Sequence, residues 1–237
     1  MLNSILKWLL EKLRFSEAPI VELRHEFHLL LLRLRNHIDP IRWYKLYKLR
    51  ALNDIKLHFG CGRRILKDWI NVDAYPAQNV DYVADLRCKL PLRENSVSYV
   101  FSEHVFEHFH RGDATNILKN LRSVMTEGAA IRLVVPDLDF YCSNYIKGDY
   151  KTMIIPVPGT SNCSEAINNV FYGHFHKYIY DFTSLKSLLE SAGFSDIRRK
   201  NYGESDFPSL LMDTQLQSRE IGSLCVEAVS RRESLQT

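Results

Sequence analysis

The stretch Leu57–Gly62, LHFGCG, decides the fold class of this 237-residue chain. The apolar run that starts at Ile55 predicts a short buried strand, and this strand runs directly into a G-x-G turn. Glycine lets the backbone approach a ligand closely, and ligands of open α/β sheets bind at the carboxyl ends of strands. The third glycine of the dinucleotide pattern G-x-G-x-x-G is absent, because Ile65 stands in its place. The stretch favours a ligand-binding turn without a pyrophosphate seat, and an ordinary tight turn is the alternative.

Strand-like and helix-like segments alternate on the C-terminal side of this turn. Two amphipathic helices are predicted, one over Gly112–Thr126 with Asp113 as its cap and one that begins after a cap at Thr183. This alternation predicts a mostly parallel sheet with helices on both faces. The predicted strands are IKLHFG, INVDAY, VDYVADL, SVSYVF, AAIRLVVPD, FSDIRRKNY and SLCVEAVS.

The N-terminal fifth of the chain has a different pattern. Residues 2–14 and 20–38 carry apolar side chains at helical spacing, and a basic aromatic segment, IRWYKLYKLRALND, follows. We therefore predict a helical arm over 1–52, a single domain over 53–232 and a disordered tail over 233–237. The arm is interpreted as a peripheral membrane contact, a homodimer contact or a cover on its own domain.

The whole chain has a formal net charge of +3, which is too small to indicate nucleic-acid binding.

Two acidic residues follow predicted strands. Asp73 ends the second strand, where a carboxylate suits the paired hydroxyls of a ribose. Asp85, followed by Leu86, comes after the third strand, where it could accept the exocyclic amine of an adenine. A turn-capping aspartate is the alternative interpretation of each.

The stretch Ser102–His110, SEHVFEHFH, contains H-x-x-E-H, the signature of inverted zinc peptidases. His110, His174 and His176 add further imidazoles. However, the stretch directly follows a strand, whereas a metallopeptidase places both histidines in a long helix and needs another carboxylate ligand. We therefore expect no metal, with Glu107 and His108 bracing a helix start, and a zinc hydrolase is kept as an alternative function.

These segments, in this order, resemble the class I S-adenosylmethionine-dependent methyltransferases. More narrowly, they resemble a bacterial group associated with polysaccharide and O-antigen synthesis. The sequence departs from the group at Ser98, where Asp is usual, and at Glu127–Ala129, where Pro-Gly-Gly is usual. The resemblance covers Ile55–Ser230 through LHFGCG, DWINVDAYP, VDYVADLRCKLPLRENSVSYVFSEHVFEHF, IRLVVPDL, HKYIYDFTSLKSLLESAGF, GES and SLCVEA.

The resemblance implies a Rossmann-like sheet of seven strands with the last strand antiparallel. It also implies S-adenosylmethionine as methyl donor, S-adenosylhomocysteine as product and no metal. The glycines would pass beneath the methionine portion of the donor, Asp73 would bind the ribose, and Ser102–His104 would border the sulfonium. The implied donor-binding residues are Phe59, Gly60, Cys61, Gly62, Asp73, Ala74, Asp85, Leu86, Ser102, Glu103 and His104.

The expected acceptor is a sugar, a glycan or another small hydroxylated molecule. A hydroxyl acceptor profits from a general base, and the candidates are His104, His174 and His176. Asp137, Tyr141 and His176 are expected to contact the acceptor. A scaffold that binds the donor without transferring its methyl group is a further alternative.

The five cysteines are odd in number and widely spaced, which is typical of reduced thiols. Residues 1–15 do not follow the pattern of a signal peptide. We therefore expect a cytoplasmic protein that is peripheral to the inner membrane if the arm binds lipid.

Overall fold

The computed structural model describes Lys12 and residues 17–231. Apart from Lys12, the predicted helix over 2–14 lies outside the described residues, and so does the predicted tail over 233–237. Contacts divide the chain into two compact units, Met1–Tyr44 and Lys45–Thr237.

Two helices precede the sheet, α1 (Glu17–Ile38) and α2 (Pro40–Ala51). The break between them follows from Asp39-Pro40, because proline favours the first position of a helix and the Asp39 carboxylate accepts the backbone N–H of Ile41 at 3.0 Å. None of the helices in the described part of the chain is both long enough and apolar enough to cross a membrane.

The second unit is built on one seven-stranded sheet in the order β3-β2-β1-β4-β5-β7-β6. The first five strands pair with one another in parallel, and β7 is antiparallel to both β5 and β6. This topology confirms the predicted Rossmann-like fold and its antiparallel last strand. The strands are β1 (Ile55–Phe59), β2 (Ile70–Asp73), β3 (Tyr82–Val83), β4 (Val97–Glu103), β5 (Met125–Pro136), β6 (Phe194–Lys200) and β7 (Ser223–Ser230).

Six further α-helices follow β4 in the described part of the chain. They are α3 (Arg111–Val124), α4 (Leu138–Lys147), α5 (Tyr150–Met153), α6 (Cys163–Tyr172), α7 (Phe182–Ser191) and α8 (Gln217–Glu220). Single 3-10 turns cover Phe106–His108, Gly173–Phe175 and Pro208–Leu210.

The two faces of the sheet are covered differently. Successive side chains of a strand point to opposite faces, so neighbours such as Leu133 and Val134 belong to different apolar clusters. The larger cluster includes the inward faces of α3 and α7, whereas the smaller one is closed by connecting segments that contribute Trp69 and Leu210. A third cluster around Tyr141 joins α4, α5 and α6.

Both predicted helix caps were wrong by a few residues. The helix predicted to be capped by Asp113 begins at Arg111, so Asp113 lies in its first turn, where a negative charge still favours the helix N-terminus. The later helix is capped by Asp181 and not by Thr183, because Asp181 and Ser184 form a reciprocal capping box.

The sheet order brings together the loops that carry the predicted site residues. The strand order reverses between β1 and β4, and crevices for ligands form at such a switch point beyond the carboxyl ends of the strands. The segments that follow Phe59, Asp73 and Glu103 therefore meet at one edge of the sheet.

Candidate functional site

The glycine turn after β1 has a backbone that only glycine adopts easily. Gly60 and Gly62 have φ values of +74° and +55°. The N–H groups of Gly60 and Cys61 both donate to the carbonyl of Val72, at 2.9 and 3.1 Å. A Cβ on Gly60 would lie 2.3 Å from a methyl carbon of Val105. The turn is thus held tightly against both β2 and the segment after β4.

Asp73 lies beside this turn with its carboxylate already oriented. One oxygen accepts the N–H of Gly62 at 2.8 Å, and the other accepts the N–H of Tyr75 at 2.9 Å. Each carboxylate oxygen has two lone pairs, so both can accept a further hydrogen bond from a ligand hydroxyl. Ala74, the next residue, is half-buried.

The remaining residues of the glycine turn are buried. Phe59 and Cys61 are 1% and 4% exposed. Burial, together with the charge of Asp73, raises the pKa of the Cys61 thiol to about 12. This thiol is therefore neutral at physiological pH and adds no charge to the turn.

The side chains of Asp85 and Leu86, in the segment after β3, are buried. Asp85 is 2% exposed, and its two oxygens accept the guanidinium of Arg87 at 3.1 Å each. Leu86 is packed into the larger apolar cluster. A ligand amine could reach Asp85 only by replacing Arg87.

Ser102 and Glu103 end β4 in contrasting environments. The hydroxyl of Ser102 is buried and has no hydrogen-bond partner among the described residues. Glu103 accepts hydrogen bonds from Arg64 at 3.0 Å, from Tyr202 at 2.8 Å and from Thr214. Burial opposes its ionisation, but these hydrogen bonds and the charge of Arg64 hold the pKa of Glu103 below its ordinary value. Glu103 thus connects the loop after β1 to the segment between β6 and β7 at this edge.

His104 connects β4 to β7. Its Nδ1 lies 3.1 Å from Oε1 of Glu107, and its Nε2 lies 3.1 Å from the hydroxyl of Ser223. Since a carboxylate only accepts, Nδ1 carries the proton, and Nε2 accepts the Ser223 hydroxyl. The φ of His104 is +54°, a backbone conformation that is uncommon outside glycine and recurs at functional sites.

Glu107 is fully buried behind His104. Burial opposes its ionisation, but the hydrogen bond and charge of His104 lower the pKa of Glu107 below its ordinary value. An ionised carboxylate in this position accepts the proton of Nδ1 and holds the imidazole in the tautomer whose lone pair is on Nε2. The pair therefore has the chemistry of a positioned base.

Asp137 and Tyr141 both follow β5, and the N–H of Tyr141 donates to the carbonyl of Asp137 at 3.3 Å. Asp137 caps α4 by accepting the N–H of Asp139, and it accepts the guanidinium of Arg199 at 2.6 Å. Its own N–H donates to the carbonyl of Gly222, the residue before Ser223. Burial raises the pKa of both Asp137 and Tyr141 above the ordinary values. These two residues are thus linked through β7 to the neighbourhood of His104.

The two histidines of YGHFHKY lie in different environments. His174 is exposed, whereas His176 is half-buried and its ring meets that of His108 with centroids 5.0 Å apart. Burial lowers the pKa of His176. One ligand atom each from Glu107, His108 and His176 lies within 4.8 Å of the others. The H-x-x-E-H pair of histidines is thus divided, because His104 bonds to Glu107 and Ser223 while His108 faces His176. The segment also forms a single 3-10 turn and lacks the long helix of a metallopeptidase.

Four further residues at this edge were not predicted from the sequence, namely Ser223, Arg64, Tyr202 and Thr214. Ser223 begins the strand SLCVEAVS, and a polar first residue of a strand carries no signal of its partner. Arg64 follows the glycine turn by two residues, and its contact with Glu103 depends on two loops that meet only in the fold.

No protein-family model matches the sequence, and no curated protein matches it. Several solved structures are similar to the chain at low identity, and three serve as examples. The chain is 16% identical to an S-adenosylmethionine-dependent methyltransferase from Archaeoglobus fulgidus, with coverage of 94% and 98% of the two chains and a TM-score of 0.47. It is 12% identical to human N-acetylserotonin methyltransferase, solved with S-adenosylmethionine, with coverage of 88% and 57% and a TM-score of 0.46.

The third is phosphoethanolamine N-methyltransferase 2 from Haemonchus contortus, which is 13% identical to the chain, with coverage of 80% and 53% and a TM-score of 0.47. The chain thus spans little more than half the length of the human and Haemonchus proteins. Similarity at this level concerns the fold alone.

Proposed function

We propose that the chain is an S-adenosylmethionine-dependent methyltransferase that acts on a hydroxyl of a sugar, a glycan or another small acceptor. One observation carries the proposal. The Asp73 carboxylate is fixed beside the glycine turn by the N–H of Gly62, at the same edge of the sheet as His104. This arrangement offers acceptors for two ligand hydroxyls next to a tight backbone turn and a positioned imidazole.

The residues of this edge fit the donor in most parts. Asp73 would accept the two ribose hydroxyls through its remaining lone pairs, and the Gly60–Gly62 turn would carry the methionine portion across its backbone. Ser102 has a buried hydroxyl that is free to bond to a ligand near the end of β4. For adenine, Leu86 would supply an apolar contact, and Arg87 would have to leave Asp85. When bound, the donor supplies an electrophilic methyl group on sulfur.

The chain's own contribution to the reaction is a base for the acceptor hydroxyl. Nε2 of His104 presents its lone pair, and Glu107 on the other ring nitrogen stabilises the imidazolium that forms when Nε2 takes the proton. The Ser223 hydroxyl occupies Nε2 in this structure, and an acceptor hydroxyl would take its place. Asp137 and Tyr141 would then border the acceptor. His176 would stand behind Glu107, and His174 would stay outside the site.

The choice of a glycan or sugar acceptor rests on the resemblance of Ile55–Ser230 to methyltransferases associated with polysaccharide synthesis. The test is a screen with S-adenosylmethionine carrying a labelled methyl group against nucleotide sugars, glycan fragments and other small alcohols. We expect label on a hydroxylated acceptor, and transfer to be lost in Asp73→Ala.

Donor binding is measured separately, by the melting temperature of the full chain with S-adenosylmethionine or S-adenosylhomocysteine. A rise without transfer to any acceptor would support the alternative of a donor-binding scaffold. No rise at millimolar concentrations of either compound would contradict the proposal at its first step.

The order Ser223–His104–Glu107 favours a second candidate function. A hydroxyl, an imidazole and a carboxylate linked in this order are the groups of a serine hydrolase. A serine-directed fluorophosphonate probe distinguishes the two functions, because a hydrolase would be labelled and would lose all activity in Ser223→Ala. The methyltransferase proposal expects no labelling and a methyl-transfer rate within about tenfold of the parent in Ser223→Ala, since only one hydrogen bond to the base changes.

For the N-terminal arm we propose a docking role. Many of its apolar side chains are exposed, among them Leu23 at 71% and Ile38 at 74%. The two partners under test are an anionic membrane and a second copy of the chain. Flotation with anionic vesicles supports the membrane, and a doubled mass in light scattering supports the homodimer. A monomer that does not float would contradict both.

A further inference from the structure

Two imidazoles and a carboxylate converge behind the proposed base. The candidate ligand atoms of Glu107, His108 and His176 lie within 4.8 Å of one another. The histidines come from different segments, the 3-10 turn after β4 and the turn after α6. The backbone also joins these two segments, because the carbonyl of Glu107 accepts hydrogen bonds from the N–H groups of Lys177 and Tyr178 at 2.7 and 3.1 Å.

Glu107 supplies a second and independent observation. Its side chain is fully buried, and only Oε1 is used, by His104. Oε2 is buried without a hydrogen-bond partner among the described residues. A buried carboxylate oxygen left without a partner is costly, and a cation is one of the few ligands that removes the cost. The unused oxygen belongs to the same residue that meets the two imidazoles.

His176 is oriented as metal-binding histidines are. Its Nδ1 lies 2.6 Å from the carbonyl of Val170, so that this nitrogen donates its proton there. Nε2 is left with its lone pair available. Such a hydrogen bond from one ring nitrogen to a backbone carbonyl fixes the tautomer and raises the basicity of the other nitrogen.

We propose that Glu107, His108 and His176 form a binding site for a divalent transition-metal ion, zinc being the best match to two imidazoles and one carboxylate. Three protein ligands leave a fourth position of a tetrahedral ion open to water. Ligand atoms around a tetrahedral zinc lie about 3.5 Å apart, given bonds of about 2.0–2.2 Å, so the side chains have to approach by roughly 1 Å. His108 is exposed, and its ring is the ligand that adjusts.

This ligand set differs from the H-x-x-E-H motif and from the expectation of no metal. His104 is not a ligand in it, and His176 takes its place. The sequence motif therefore supplies Glu107 and His108, and the turn after α6 supplies His176. Glu107 connects the site to the proposed base, because its other oxygen holds His104.

The test is a zinc titration of the full chain after treatment with a chelator, followed by calorimetry. We expect one zinc per chain. We also expect His108→Ala and His176→Ala to weaken zinc binding by at least about 100-fold, more than the loss of a residue that only supports a ligand. The matched controls are His110→Ala and His174→Ala, which remove an exposed histidine two residues from each ligand. Both should bind zinc within about threefold of the parent, because no ligand is lost.

The His108→Ala variant keeps the test decisive, because an exposed side chain is replaced and the fold is retained. Zinc should raise the melting temperature of the parent and of both controls, and it should leave that of His108→Ala unchanged. No zinc bound, or equal affinity in all five proteins, would overturn the site. Zinc binding is read directly, so a failure of methyl transfer leaves the outcome unaffected.

Discussion

The site has two halves that are built in different ways. The half that we propose to bind the donor, named the donor half, is made of the Gly60–Gly62 turn and Asp73; it comes from consecutive strand ends and is held by backbone N–H groups. The half that we propose to serve the acceptor, named the acceptor half, joins His104 to Glu107 and Ser223 by side-chain contacts, and the contact with Ser223 spans 119 positions of the sequence. Backbone geometry makes the donor half recognisable locally, whereas the acceptor half exists only when β4 and β7 are in place.

Because the two halves are built separately, we expect a substitution in one half to leave the role of the other half intact. His104→Ala should lower kcat by about 10²–10⁴-fold, the usual contribution of a general base, because only proton removal is affected. The dissociation constant of S-adenosylhomocysteine should stay close to that of the parent. Rate measurements and calorimetry check the two quantities, and His110→Ala is the control for loss of a nearby exposed histidine. A comparable loss of donor affinity would show that the two halves are one unit.

The donor half should fail in the opposite way. Asp73→Ala should weaken binding of S-adenosylhomocysteine by about 100-fold, because two hydrogen bonds to a charged group are lost. Asp139→Ala removes an exposed carboxylate near the acceptor half, and it should leave this affinity unchanged. Calorimetric titration of both variants gives the answer, and equal affinities would disprove the role of Asp73.

The backbone of the donor half can be tested through stability. Gly60→Ala should lower the free energy of unfolding by about 2–4 kcal/mol, because alanine is strained at φ +74° and its Cβ meets Val105. In the double variant with Val105→Ala, only the part of the lost unfolding free energy that the close contact with Val105 causes should be restored. Gly112→Ala in α3 is the control and should be neutral or stabilising, since nothing lies near its Cβ. Urea unfolding measures all three, and a fully stable Gly60→Ala would contradict the tight turn.

The strand beneath the donor half should be sensitive to mild acid. Burial lowers the pKa of His58 from 6.5 to about 4, although a hydrogen bond to Asn71 opposes the shift. Between these two values the unfolded chain binds the proton and the folded chain does not, so stability falls as the pH falls. From pH 7 to pH 5 the expected loss is about 2 kcal/mol. Urea unfolding at both pH values should show this slope in the parent and a flatter one in His58→Gln.

Local patterns predicted the strands of the sheet and the place of the glycine turn and Asp73 at strand ends. Apolar runs that end in glycine or aspartate mark the carboxyl ends of β1 and β2, and their chemistry depends on the backbone of those few residues. The caps at Asp113 and Thr183 were wrong because several polar residues stand near each helix start, and side-chain geometry selects among them. The roles of the donor residues in binding stay predictions.

The sequence by itself determined the order of the seven strands, the tight turn at Gly60 and the position of Asp73 at a strand end. These features arise from short-range sterics, periodic burial and hydrogen bonds between nearby residues. Only the tertiary structure decided that His104 bonds to Glu107 and Ser223, and that His108 meets His176. Such contacts depend on which strands become neighbours and on which way each buried side chain points, and no local pattern records either.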